Sequence, residues 1–431
     1  MEQKMKTKKK VLIIIISVLS LVISFTGGFF THYFSQGQTL RLVEEITNII
    51  ENNAKSPYGE DKEFSSVLIA KKLVEGVLDN DDYAVYYSEQ EYEKIKKRNV
   101  GNYEGLGFSP YLDLPYVYSV VGNSPADRAG LKKEDNIISV SVNGGEPVLT
   151  SKTSDLENEI KDITSNDQVV FLVERDGEKN PLQLQMKKEN FVASYVTYID
   201  SEKGIKFWSF DGTNPEMTYF SEYKNESLPL DTAHILLTSF EGGASEQLGQ
   251  VLDYAYSHGR QKIILDLRGN GGGMMSVLEK VASYFINNGG NKNNLITKGE
   301  ERKGSSSFYT DGNNFNSNLK EVVVIADQRT ASASECLIGA MLCYGDAGFS
   351  YDNLLITKNA NRNNFSTYGK GIMQTTFPLV SGGALKLTTA RIYWPDLTTC
   401  IQGVGIEQKN SANQVSDTNA IERAVEILSA S

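Results

Sequence analysis

The chain has 431 residues, enough for two or three domains, and its 40% hydrophobic and 23% charged content is ordinary for folded protein with a large core. A net charge of −11 excludes the basic footprint of a nucleic-acid binder. The three cysteines are odd in number and lack metal-ligand spacing, which argues against a disulfide framework and against a metal site.

Residues 1–10 hold five Lys and one Glu, a net of +4, which leaves about −15 on the rest (−11 minus +4), too acidic to adhere to anionic lipid. "VLIIIISVLSLVISFTGGFF", residues 11–30, carries no charge and is long enough to cross ~30 Å of hydrocarbon as a helix. The lysines before it favour a cytoplasmic N-terminus. A cleaved signal peptide would end in an A-x-A-like site, and none follows Phe30. The expectation is a basic cytoplasmic tail over 1–10, a transmembrane anchor over 11–34 and an extracytoplasmic remainder, single-pass in the cell membrane. Residues 35–101 read as a helical region: Leu42, Ile46, Ile49 and Ile50 recur at helical spacing, and "FSSVLIAKKLVEGVL" repeats the pattern. Such a stalk could pack on the body or on a second copy, as a dimer.

From residue 102 the texture changes to short strands and turns. Ser124 suits an N-cap, Pro125 the first helical position and Gly130 the C-terminal stop of a short helix. "DQVVFLVERDGEKNPLQLQM" reads as a hairpin with Asp-Gly at its turn. Residues 102–190 form a small β-rich module. From 191 to 431 strands and helices alternate, which indicates an α/β core with a largely parallel sheet. Residues 345–369, polar and Asn-rich, read as a long surface loop, and "NAIERAVEIL" as a closing helix. Cys336 and Cys343 share a helix face but sit ~10 Å apart along it, too far for a bridge; with Cys400 they read as buried free thiols.

Two stretches of the core can bear chemistry. "DLRGNGGG" is a glycine-rich strand-to-helix loop whose N–H groups can face an anion or an oxyanion. Its glycines are too bunched for a dinucleotide fingerprint, no phosphate-loop lysine follows, and a tight turn alone would also need them. In "DQRTASASECL", Ser332 and Glu335 fit a capping box at the start of a 333–344 helix. A nucleophilic serine would occupy the same place, favoured by the helix dipole, and local sequence leaves both readings open. A serine nucleophile needs a base. His32 lies at the anchor, His234 opens a strand and His258 ends a helix, so no histidine stands beside a motif. Lysine can replace it, but at pKa ~10.4 only ~0.04% is neutral at pH 7. Lowering a lysine to ~7–8 takes ~4 kcal/mol of differential solvation, within what burial supplies. Lys370, between two glycines and ahead of Ile372 and Met373, sits in suitable sequence; an ordinary loop lysine is the alternative.

In order, "GNSPADRAGLKKEDNIISVSVNG", "TSFEGGASEQL", "IILDLRGNGGG", "VVVIADQRTASASE", "YGKGIMQT" and "LKLTTARIYWPD…IQGVGIE" make the chain resemble the carboxyl-terminal processing (tail-specific) proteases, from about residue 40 to the end. Each motif alone is moderate; their order is specific. The resemblance implies a core of crotonase- or Clp-protease-like β-α repeats preceded by a PDZ domain, and a serine endopeptidase that needs no cofactor or metal and acts on proteins or peptides with exposed C-termini. Position by position, it implies Ser332 as nucleophile, Lys370 as general base and Gln374 as the residue orienting that lysine. Backbone N–H groups of Gly271 or Gly272 and of Ala333 would form the oxyanion hole, with Glu335 and Thr367 in support. Gly105, Leu106, Gly107 and Phe108 would bind a substrate's terminal carboxylate by strand addition. For Gln374 to reach Lys370, a helix-like turn is expected over 370–374, because four residues of strand span ~13 Å. The chain departs from the family at Thr330, at Cys343, in the long 345–369 loop, after "GIE", and in a segment at about 200–230 that looks inserted. The competing readings are a catalytically silent PDZ scaffold and a nucleotide-binding α/β protein, the latter weakened by the missing phosphate motifs.

Overall fold

The computed structural model describes residues 66–77, 81–209, 213–287, 289, 293–312, 314–358, 365–380 and 382–430. The expected basic tail, the anchor and the helices before residue 66 lie outside the described residues. Among those described, no helix is long and apolar enough to cross a membrane.

The chain divides into two units, residues 1–88 and 89–431. In the first, helix α1 (Ser66–Val77) is followed by strand β1 (Val85–Tyr87). That strand interrupts the expected all-helical region, as its β-branched and aromatic Val-Tyr-Tyr suits extended backbone better than helix.

The second unit opens with α2 (Glu89–Asn99) and then builds the β-rich module. Strand β2 (Asn102–Gly105) pairs with β9 (Glu189–Val192), and β3 (Phe108–Pro110) pairs with β4 (Val117–Val120). A four-stranded antiparallel sheet has the order β6 (Val148–Leu149), β5 (Asn136–Val142), β7 (Gln168–Glu174), β8 (Leu182–Lys187). Two helices complete the module, α3 (Pro125–Arg128) and α4 (Thr153–Ile160). The expected caps of α3 form: Ser124 Oγ accepts from Asp127 N at 3.1 Å, and Leu131 N closes back to Ala126 O at 2.9 Å past Gly130 at φ 87°. Gly177 takes the positive φ expected of Asp-Gly, but the β7–β8 connection runs over 175–181 and is longer than a tight hairpin turn.

The core is built on an eight-stranded sheet. Its parallel half comprises β13 (Thr232–Leu237), β14 (Lys262–Asp266), β17 (Glu321–Ala326), β18 (Leu354–Lys358) and β21 (Gln414–Ser416). Strand β10 (Val196–Ile199) adds antiparallel to β13, and the inserted-looking segment extends the sheet further with β11 (Gly204–Trp208) and β12 (Glu216–Phe220), each antiparallel to the strand before it. Both faces of the central strands β14 and β17 are buried, which is why these two are nearly continuous apolar runs. Ile263, Leu265, Val322 and Val324 face α5 (Ala244–Ser257), α6 (Met275–Phe285) and α7 (Ala333–Tyr344). Ile264, Val323 and Ile325 face Ala424 and Leu428 of the closing helix α8 (Ala420–Ala430). The expected 345–369 surface loop is overturned by β18, whose Leu354, Leu355 and Ile356 are fully buried between β17 and β21. Its apolar run is only three residues long in a polar surround, so composition hid it. Beside this sheet, β15 (Leu295–Glu301), β16 (Ser305–Tyr309), β19 (Ile372–Pro378) and β20 (Ala384–Tyr393) pair antiparallel in the order β19-β20-β15-β16.

The cysteines are all free, but only Cys336 is buried; Cys400 is half-buried and Cys343 exposed, near the C-terminal end of α7.

Candidate active site

The site lies where the chain leaves the C-terminal ends of β14 and β17. Asp327 follows β17 and draws the next turn around itself. Its Oδ1 accepts the N–H groups of Gly269 at 2.9 Å, Arg329 at 2.9 Å and Thr330 at 3.1 Å. Burial pushes this carboxyl up, against those donors. Thr330 is buried and donates to Leu267 O at 2.8 Å, and Ser334 donates to Asn270 O at 3.0 Å. Both hydroxyls therefore hold local structure. Ser332, between them, is half-buried and sits at φ 57°, ψ −117°, immediately before α7. A non-glycine residue held in such a sparsely populated region costs of order 1–3 kcal/mol, which the surrounding bonds must offset.

The glycine loop packs against that turn. Asn270 is fully buried; its Nδ2 donates to Leu237 O at 2.8 Å, and its backbone O receives Ala331 N at 3.0 Å. Gly272 has φ 96°, and a Cβ there would stand 2.8 Å from Ala331 O, Ala333 N and Ser332 Cβ. The glycine is thus required both by conformation and by close approach. Of the three expected oxyanion donors, Gly272 is already committed, since its N–H donates to Asn270 Oδ1 at 2.9 Å. The N–H groups of Gly271 and Ala333 donate to no other described residue.

Glu335 joins the serine turn to the lysine segment. Its carboxylate is fully buried on the first turn of α7. Oε2 accepts Ser332 N–H at 2.9 Å and Lys370 N–H at 2.9 Å; Oε1 accepts Gly369 N–H at 2.8 Å and the Thr367 hydroxyl at 2.5 Å. Because one oxygen holds both, the backbone nitrogens of Ser332 and Lys370 are at most about 5.8 Å apart, twice 2.9 Å. Residues 38 apart in sequence are thereby made neighbours. The Glu335 arm of the expected capping box forms, and the same side chain reaches beyond its helix. Burial pushes the Glu335 carboxyl up, opposed by its four donors. Burial also lowers the Lys370 ammonium, helped by the charge of Lys386 and opposed by Glu335.

The expected helix-like turn at 370–374 does not form. Gln374 lies in β19, opposite Thr388, with Met373 opposite Ala390 and Thr389 as the extra residue of a bulge. The β-branched Ile372, Thr375 and Thr376 and the cross-strand partners on β20 favour strand over helix. Gln374 is therefore about four strand residues, ~13 Å, along from Lys370. Its Nε2 is buried without a hydrogen-bond partner among the described residues. Of the histidines, His32 lies outside the described residues. His234 is buried in β13 against Asp266, 3.1 Å away, and His258 caps the end of α5.

In the β-rich module, the 105–108 loop is shaped by Gly105 at φ 139° and Gly107 at φ 82°. Leu106 O accepts Ala126 N at 2.9 Å, and Gly107 O accepts Val121 N at 2.8 Å and Ser124 Oγ at 3.2 Å. The N–H groups of Leu106 and Gly107 donate to no other described residue. Strand β3 pairs only with β4 among the described strands, so its other edge is open.

Sequence reading missed Asp327 and Asn270. The signal available was a polar residue closing each of the two strand-end loops, one just after β17 and one inside the glycine run.

Residues 231–347 and 364–410 match peptidase family S41, and residues 103–186 match the PDZ domain. The chain is 25% identical over 379 residues to the "Probable CtpA-like serine protease" of Staphylococcus aureus strain N315, covering 85% of this chain and 64% of that protein. It thus spans less than two thirds of that relative's length. It is 24% identical over 409 residues to the protein of the same name from Staphylococcus saprophyticus, covering 92% of this chain and 71% of that one. Among solved structures it is similar to the photosystem II D1 C-terminal processing protease, at 19% identity over 90% of each chain with a TM-score of 0.48.

Proposed function

We propose, on the match of residues 231–347 and 364–410 to peptidase family S41, that the chain is a serine endopeptidase of that family working through a Ser332/Lys370 dyad. The observation that carries this reading is the shared carboxylate: Glu335 holds the backbones of Ser332 and Lys370 on one oxygen. Neutral Lys370 Nζ takes the proton of Ser332 Oγ as the oxygen attacks the scissile carbonyl carbon. Charge on the carbonyl oxygen is met by the N–H groups of Gly271 and Ala333. The lysine ammonium then protonates the leaving amine, and water, deprotonated by the same lysine, hydrolyses the acyl-enzyme. Glu335 and Thr367 position the two partners.

The PDZ module captures the substrate's C-terminal carboxylate on the Leu106 and Gly107 N–H groups, and the tail adds to the open edge of β3. The uncharged 11–30 stretch behind a lysine cluster supports anchoring in the membrane, with the catalytic region outside it. The test is cleavage of a peptide panel varying in C-terminal residue. Ser332→Ala should abolish turnover while keeping the wild-type circular dichroism spectrum; equal turnover by the variant refutes the nucleophile.

A further inference from the structure

Two sets of contacts join the PDZ module to the core, one near each end of its peptide groove. The first comes from β11 and Ser209, in the inserted-looking segment at about 200–230. Lys206 Nζ lies 3.3 Å from Asp127 Oδ1, with both side chains mostly buried, and stacks over Trp208 and Tyr223. Ser209 N donates to Asn123 Oδ1 at 2.9 Å, and the buried Asn123 donates through Nδ2 to Val192 O at 2.8 Å. Asp127 belongs to α3, the helix whose Ser124 and Ala126 brace the carbonyls of the 105–108 loop. The brace therefore acts directly beneath the carboxylate-binding loop.

The second set lies where the groove ends. Tyr111, just past β3, donates its hydroxyl to Glu134 Oε1 at 2.8 Å, and that oxygen is 3.8 Å from Arg329 NH1. Arg329 is three residues before Ser332, at most about 11 Å of chain. Direction follows from these positions. A tail whose carboxylate sits at 105–108, the N-terminal end of β3, must run antiparallel to that strand and leave the groove at Tyr111. It leaves toward Arg329 and the serine turn.

We propose that this enzyme measures its cut from the C-terminus of the captured tail, with the PDZ module held by the Lys206–Asp127 brace as the fixed end of the ruler. The inference rests on the peptidase reading above. The three residues of β3 pair with the end of the tail, and a stretch of similar order crosses from Tyr111 past Arg329, which places the cut on the order of ten residues from the C-terminus at ~3.3 Å per residue. A tail near this length gives the highest effective concentration of scissile bond at Ser332, and longer spans lose it.

The experiment uses the full chain in detergent with synthetic 30-residue peptides, and mass spectrometry of the first cut. Inserting three residues between the cut and the C-terminus should move the cut three residues along the sequence, keeping its count from the C-terminus. Amidating the C-terminus should slow the first cut at least tenfold. A cut that stays at the original peptide bond overturns the ruler, as does an amide cut at the free-acid rate. Lys206→Ala should broaden the spread of cut positions while leaving turnover of a five-residue reporter peptide, too short to span, unchanged. A spread as narrow as wild type removes the brace from the proposal's support and overturns it in this form. Wild type that cuts no peptide at all overturns the peptidase reading, and the ruler with it.

Discussion

Gly272 and Gly271 are neighbours with opposite environments, and alanine at each separates a structural from a catalytic account of the glycine loop. At Gly272 a Cβ would meet Ala331 O, Ala333 N and Ser332 Cβ, each at 2.8 Å, at a φ of 96°. Ordinary contact begins at 3.4 Å, so the serine turn must retreat by about 0.6 Å (3.4 minus 2.8) or the loop must open. The atoms met include the backbone of the turn itself, so no flexible side chain can yield. The positive φ costs roughly 1–2 kcal/mol for an L side chain and the overpacking about 1–3 kcal/mol, together about 2–5 kcal/mol of stability. A displacement of that size at the nucleophile lowers kcat by about tenfold to a hundredfold, given that a 1 Å misplacement can cost ~100-fold. Gly271 is exposed, has an ordinary φ and would place its Cβ in open space, and alanine keeps its N–H. Gly271→Ala should therefore retain stability and turnover within about threefold, as is usual for a surface substitution. Urea unfolding and peptide turnover on both variants make the assay. Gly272→Ala that matches wild type in both, or Gly271→Ala that is equally impaired, would refute this account of the loop.

Two further outcomes follow from the charges at the site. Lys370→Met should be inactive yet unfold at a higher temperature than wild type at pH 7. The folded lysine is held below its ordinary pKa by burial and by Lys386, so between that lowered value and ~10.4 the unfolded chain binds the extra proton and wild-type stability rises with pH. The variant's advantage should shrink toward pH 10, as calorimetry across pH can show, and wild-type turnover should climb with pH as the base becomes neutral; a flat rate profile from pH 5 to 9 speaks against lysine. Glu335→Gln should cut kcat by about tenfold to a hundredfold, because the amide can accept at only one end and at least one hydrogen bond to a charged group, roughly 1.5–3 kcal/mol, is lost. Near-normal kcat with an unchanged fold would remove Glu335 from the positioning role.

Most of the catalytic core's order was legible from patterning. Strands such as "KIILD" and "EVVVIA" are apolar throughout because both sheet faces are covered, and α7 begins and ends where its cap and apolar stripe predict. The reading failed where neighbours outweigh local pattern. The polar surround of "LLIT" hid β18, a strand that exists because β17 and β21 pair with it on both sides. The expected turn at 370–374 assumed that Gln374 must touch Lys370, whereas pairing with β20 keeps that segment extended. The inserted-looking segment gave no hint that it would lengthen the sheet and reach the PDZ module.

By itself the sequence determined the residue types and their order: a serine ahead of a helix, a lysine between glycines, a glycine run after a strand. These depend on local backbone needs and apolar periodicity, which neighbouring residues express. Only the tertiary structure decided which hydroxyl stands beside the lysine segment, which N–H groups stay uncommitted, and how a carboxylate that looked like a helix cap joins two segments 38 residues apart. Those are decided by distances between distant parts of the chain, where a buried carboxylate must find donors from whatever packs against it.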